Sequence, residues 1–138
     1  MSTYFPEGVE IASALTAAGE GPRCLMGLAN VDRGFLAAAS LKQAQRCEFS
    51  GVVAAGQMPS ARGYVQQYRR AFDRRPGVWG SFYYDSARIL FAAIERAQSD
   101  RFGSVAAALR ATKDHRGATG AISIDPASGT APTSPCGS

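Results

Sequence analysis

Few residues in this chain have the type and spacing that catalysis or metal binding requires. His115 is the lone histidine, set between Asp114 and Arg116. Histidine is a common general base, but a polar loop supplies neither the burial nor the fixed partners that tune one. The cysteines are Cys24, Cys47 and Cys136. None forms a C-x-x-C pair and none neighbours the histidine, so zinc-ligand spacing is absent. An odd count leaves at least one thiol free, and Cys24, inside an apolar run, reads as a small core residue. The nucleophile elbow G-x-S-x-G, the P-loop and the H-E-x-x-H pair are missing. Near Gly19 and Gly21 the dinucleotide fingerprint fails, because Cys24 stands where its third glycine belongs. Glu7 and Glu10 suit a solvated helix surface. The expectation is no enzymatic activity, no metal and no cofactor.

The elements that would position a binding site are clearer. The chain has 138 residues, 46% of them apolar and 19% charged, an ordinary globular balance. Its net charge of +4 comes from arginine, since Lys42 and Lys113 are the only lysines. The basic residues are scattered. The densest group, Arg69, Arg70, Arg74 and Arg75 around Asp73, suits the C-terminus of a helix. No nucleic-acid partner is expected. No stretch approaches the roughly 20 apolar residues that span a bilayer. Residues 1–10 carry neither a basic nor an apolar leader segment, so no signal peptide is expected in this chain.

Hydrophobic periodicity predicts helices near residues 7–18, 33–46, 60–73, 84–98 and 103–111, and strands near 23–27, 50–55 and 120–124. Pro6 and Glu7 open the first helix and Gly19 ends it. Asp32, Ser60, Asp85 and Ser104 are candidate helix caps. Residues 125–129 read as a turn, and residues 130–138, rich in Pro, Thr, Ser and Gly, as a loose tail. Helix and strand alternate in the first third, the grammar of a parallel sheet covered by helices. The remainder is mostly helical with one good strand. An α/β domain needs more strands than this. The helix carrying Ile89, Leu90, Ala93 and Ile94 therefore lacks a cover, which predicts a missing portion, a partner chain or self-association.

An ordered set of residues resembles a known family. Tyr68, Phe72 and Pro76 are followed by Tyr84-Asp85 at the head of an Ala-rich helix with Ile94 and Ala97. Residues 105–109, Gly117, Thr119-Gly120, Ile122, Ile124-Asp125 and Gly129 close the set. Upstream stand Leu25-Met26-Gly27, Asp32, Phe35-Leu36 and Gly51-Val52-Val53. Together these resemble the C-terminal part of type I periplasmic binding proteins, in the Leu/Ile/Val-binding branch of ABC-transporter solute receptors. The resemblance implies a partial α/β fold of parallel strands flanked by helices. By analogy residues 1–56 would be the end of lobe two, residues 57–130 the returning part of lobe one, and residues 131–138 a tail. It implies binding of a small organic solute, such as a branched-chain amino acid or related acid, in an interlobe cleft. The full-length protein would then be periplasmic or extracellular and would deliver its solute to an ABC permease. The alternative is the ligand-binding region of a sensory or regulatory receptor, since the same fold serves both. Candidate ligand contacts are Asn30 and Asp32, in the loop after the first strand, and Trp79 and Ser81, which border the cleft by analogy. Family members carry an acidic residue near position 30 to pair with an ammonium group, whereas this chain has Ala29 and Asn30 there.

Overall fold

The computed structural model describes residues 4–19, 24–31, 33–39 and 41–131. The chain divides into two compact units, Met1–Val53 and Ala54–Ser138. The predicted cap Asp32 and most of the tail, residues 132–138, lie outside the described residues. No described helix is long and apolar enough to cross a membrane.

In the first unit, α1 (Phe5–Ala17) starts with Pro in its first turn and Glu7 beside it, as predicted. It ends before Gly19, whose φ of +70° lies in the region that glycine enters without penalty. Strand β1 (Cys24–Met26) pairs in parallel with β2 (Cys47–Phe49), joining Cys24 to Cys47 and Met26 to Phe49. Between them run α2 (Arg33–Ala38) and α3 (Leu41–Ala44). The core gathers Ala12, Met26, Phe35, Ala39 and Ala44. The Phe35 and Phe49 rings meet edge to face with centroids 5.2 Å apart.

Three expectations are corrected here. The single helix over 33–46 is two short ones with a bend at Ala39. At 3.6 residues per turn, Ala39 and Ala44 would face directions about 140° apart on one straight helix; the bend lets both enter the core. The second strand lies at Cys47–Phe49 rather than 50–55. The chain leaves the sheet after Ser50, whose N–H donates to the Met26 carbonyl at 3.0 Å. Cys24 is not a free core thiol: it is half-buried and forms a disulfide with Cys47, with Cα atoms 4.5 Å apart. Cys136 lies outside the described residues.

The second unit opens with two 3-10 turns (Ala55–Gln57 and Pro59–Ala61) that lead into α4 (Arg62–Phe72). Arg69 and Arg70 fall in its last turn, as predicted. Helix α5 (Gly80–Ala97) begins several residues before the predicted start, so Phe82, Tyr83 and Tyr84 are helical. It buries Ser81, Asp85, Ile89 and Ala93, one stripe at four-residue spacing. Leu90, Phe91 and Ile94 stay exposed, so the predicted apolar face is split between core and surface. Helix α6 (Phe102–Arg110) packs on α5. Arg96 ties the two by donating to the Ala108 carbonyl and to Thr112 Oγ1, both at 3.0 Å. The predicted terminal strand is half of an antiparallel hairpin, β3 (His115–Gly117) and β4 (Gly120–Ile122). His115 therefore sits half-buried in a strand rather than in a solvated loop.

Candidate functional site

In the first unit the two loops leaving the parallel strands emerge at the same, C-terminal edge, where open α/β sheets hold ligands. The loop after β1 tightens at once into a 3-10 turn (Leu28–Asn30). Asn30 donates its backbone N–H to the Gly27 carbonyl at 3.0 Å, and its side chain is 1% exposed. The loop after β2 presses against this turn. A Cβ on Gly51 would stand 2.7 Å from Val31 Cγ2, so glycine permits the approach. Asn30 thus lies at the predicted edge of the sheet as an inward-turned residue of a packed turn.

In the second unit Trp79 and Ser81 flank the start of α5. The Gly80 N–H donates to the Gly77 carbonyl at 3.1 Å, closing the turn before the helix. A Cβ on Gly80 would stand 2.5 Å from the Tyr64 hydroxyl, so this glycine leaves room for the Tyr64 side chain at the start of α5. Trp79 is half-buried, its ring centroid 6.2 Å from that of Phe82. Ser81 is fully buried, and its Oγ has no hydrogen-bond partner among the described residues. Two positions apart in sequence, they differ in exposure: Trp79 is half-buried, whereas Ser81 is closed to solvent.

An aromatic ladder backs this segment. Tyr84 stacks on Tyr64 at 4.8 Å, Tyr64 lies 5.9 Å from Tyr68, and Tyr68 lies 4.6 Å from Phe72. Arg88 caps the ladder, its guanidinium 5.6 Å from the Tyr84 ring centroid. Burial, then the neighbouring Tyr68, Asp85 and Tyr84, raises the Tyr64 phenol above its ordinary value of 10.0. Asp85, expected as a helix cap, instead grips the β3–β4 turn. It accepts from the Ala118 and Thr119 N–H groups at 2.7 Å each and from Thr119 Oγ1 at 2.6 Å. Ser60, also expected as a cap, donates to the Ala118 carbonyl from the other side at 2.7 Å. A groove of about 340 Å³ lies beside α4, lined in part by Gln57, Met58, Arg62, Val65 and Gln66. Sequence reasoning missed it, because its walls come from two non-periodic turns and one helix edge. Its volume matches the lower end for small-molecule sites. No group of three or more His, Cys, Asp or Glu able to hold a metal occurs among the described residues.

The sheet edge, the helices and their order point to one class. The family model for periplasmic binding proteins matches residues 1–135, and the chain belongs to that family. Its fold is that of a type I periplasmic binding protein in part. A leucine-binding protein, LivK, from Thermotoga maritima superimposes with a TM-score of 0.79 at 25% identity. The match covers 94% of this chain and 37% of that one, so the chain spans little more than a third of its solved relative. No curated protein matches it significantly.

Proposed function

We propose that this chain is a non-catalytic solute-binding module that takes a small organic solute of the branched-chain amino acid class. The observation that carries the proposal is family membership over residues 1–135, together with likeness to a leucine-binding protein over 94% of the chain. In this reading the candidate contacts are the Gly27–Val31 turn of the first unit and, separately, the exposed part of Trp79 in the second. Asn30 and Ser81 act by holding those stretches in place, because both are closed to solvent. Asp32 is proposed as a polar contact from the same loop. The full-length protein works in the periplasm, the location the family implies, and hands its solute to an ABC permease. Finding permease and ATPase genes beside this one would favour the importer; finding a membrane span or signalling domain in flanking sequence would favour the receptor alternative.

The test uses the single tryptophan. Trp79 is the only one in the chain, so emission excited selectively at tryptophan, above the tyrosine absorption, reports this segment alone. Leucine, isoleucine and valine are titrated against the chain, with glycerol as control. The expected result is a saturable change with leucine at about millimolar concentration, since the chain spans 37% of its relative. No change up to about 50 mM, a concentration corresponding to under 2 kcal/mol of binding, overturns the proposal. Hydrolysis of a generic ester that one point mutation abolishes overturns the non-catalytic part.

A further inference from the structure

The disulfide between Cys24 and Cys47 is not among the residues proposed to meet the solute, and its placement gives it a role of its own. Register sets the two residues directly opposite each other in β1 and β2, with Cα atoms 4.5 Å apart. That pairing, three residues on each side, is the one sheet among the described residues of the first unit. Among its described residues, three of the five buried core residues are alanines. Helices α2 and α3 have 6 and 4 residues, too short to persist without tertiary support. A unit of about 50 residues is marginal on a single core, and a disulfide is one way to staple it.

We propose that Cys24–Cys47 is a redox-controlled folding clamp: the first unit keeps its strand pair only after an oxidant carrying a disulfide has closed this bond. Both residues are half-buried and line a narrow cleft with Leu15, Thr16, Gln43 and Arg46. Arg46 places a cation on the cleft in which a thiolate must form. In the first step one cysteine thiolate attacks a sulfur of the oxidant's disulfide and expels a thiolate, leaving a mixed disulfide. The second cysteine then attacks the protein sulfur of that intermediate and expels the oxidant's other thiolate. Two protein thiols lose two electrons and two protons, and the oxidant's disulfide becomes two thiols. Linking residues 23 apart lowers the opening equilibrium of the unit by roughly 300-fold through loop closure. The clamp suits a compartment in which disulfides persist, such as the periplasm, and it stands whether or not the solute proposal does.

The experiment uses the full chain carrying Cys136→Ser, so that the third cysteine cannot exchange. Oxidised glutathione is the oxidant, mass spectrometry counts thiols, and hydrogen exchange follows two amides of the clamp, Cys24 to the Arg46 carbonyl and Ser50 to the Met26 carbonyl. The Ala118 amide, held by Asp85 in the second unit, is the internal reference. The expected result is loss of the two thiol hydrogens and roughly 300-fold slower exchange at Cys24 and Ser50, with Ala118 unchanged. Cys24→Ser/Cys47→Ser should exchange as the reduced chain does, again with Ala118 unchanged. Persistent free thiols after treatment overturn the proposal. So does equal protection in the oxidised and reduced chains, and so does reduction that exposes Ala118 along with Cys24.

Discussion

Replacing Asp85 tests how the second unit is held. Its carboxylate is 2% exposed and accepts three hydrogen bonds of 2.6 to 2.7 Å from the β3–β4 turn. Hydrogen bonds to a charged group contribute about 1.5–3 kcal/mol each, offset by the cost of burying the charge. Asp85→Ala removes both terms and strands the Ala118 N–H, whose residue is 5% exposed. The net loss should be about 3 kcal/mol, since truncating one partner of a buried charged cluster costs about 3–5 kcal/mol and Thr119 can hydrate in part. For a unit of this size that lowers the melting temperature by roughly 15 °C. A cycle with Gly117 isolates the cause. A Cβ on Gly117 would stand 2.5 Å from Asp85 Oδ2, so Gly117→Ala alone should cost about 2 kcal/mol through the clash. In the Asp85→Ala background the same change should cost about 0.5 kcal/mol or less, because the obstructing oxygen is gone. Urea unfolding of the four proteins, read with hydrogen exchange at residues 118 and 119, gives the coupling. Additive costs, or Asp85→Ala within about 0.5 kcal/mol of the parent, refute the account.

Two further predictions follow from the same unit. The Tyr64 phenol is raised in the folded chain, so folding favours its protonated form. That contribution is full below the unfolded value of 10.0 and is lost as pH rises past it toward the folded value. Urea midpoints should therefore fall above about pH 10, and Tyr64→Phe should flatten the decline. Leu90, Phe91 and Ile94 on α5 and Phe102 at the start of α6 are 41%, 62%, 38% and 89% exposed. Apolar surface of this kind favours association, so sedimentation should show mass rising with concentration, and Phe91→Glu should shift the chain toward monomer. A monodisperse monomer across the concentration range refutes the association reading.

The parts of the fold legible in the sequence were those that local periodicity and turn chemistry decide. Helix α1 with its proline start and glycine stop, α4, α6 and strand β1 all stand within a few residues of their predicted places. Of the candidate contacts, Asn30 stands in the loop that follows β1, where strand-then-helix order puts it, while Trp79 stands at the head of α5, which starts earlier than its periodicity predicts. The groove beside α4 was not legible, since Gln57 and Arg62 come together through two successive turns without a period. Strand β2 was misplaced because Gly51-Val52-Val53-Ala54 has the composition of a strand. The pairing is set instead by what faces β1, and Cys47-Glu48-Phe49 is not an apolar run.

The misread polar residues share one cause. Ser60 and Asp85 carry the chemistry of a helix cap, an oxygen on a short side chain able to satisfy a nearby N–H or to bond another backbone group. Sequence cannot say which groups that oxygen meets. In this chain both face the Ala118–Thr119 turn, 58 positions on from Ser60 and 33 to 34 on from Asp85. The β3–β4 hairpin has only three residues on each strand, and a hairpin of that size is marginal alone in water. Its predicted half, around Ile122, carried a weak alternation, and its other half, His115-Arg116-Gly117, carried none. What forms the hairpin is its turn, fixed from one side by a carboxylate on α5 and from the other by a hydroxyl before α4. The residues that looked local are therefore the ones that set the tertiary arrangement of the unit. Helix α5 began early for the same reason: with Asp85 engaged at the hairpin, no cap held its start at residue 84. The helix runs back to Gly80, where the missing Cβ leaves room for the Tyr64 hydroxyl.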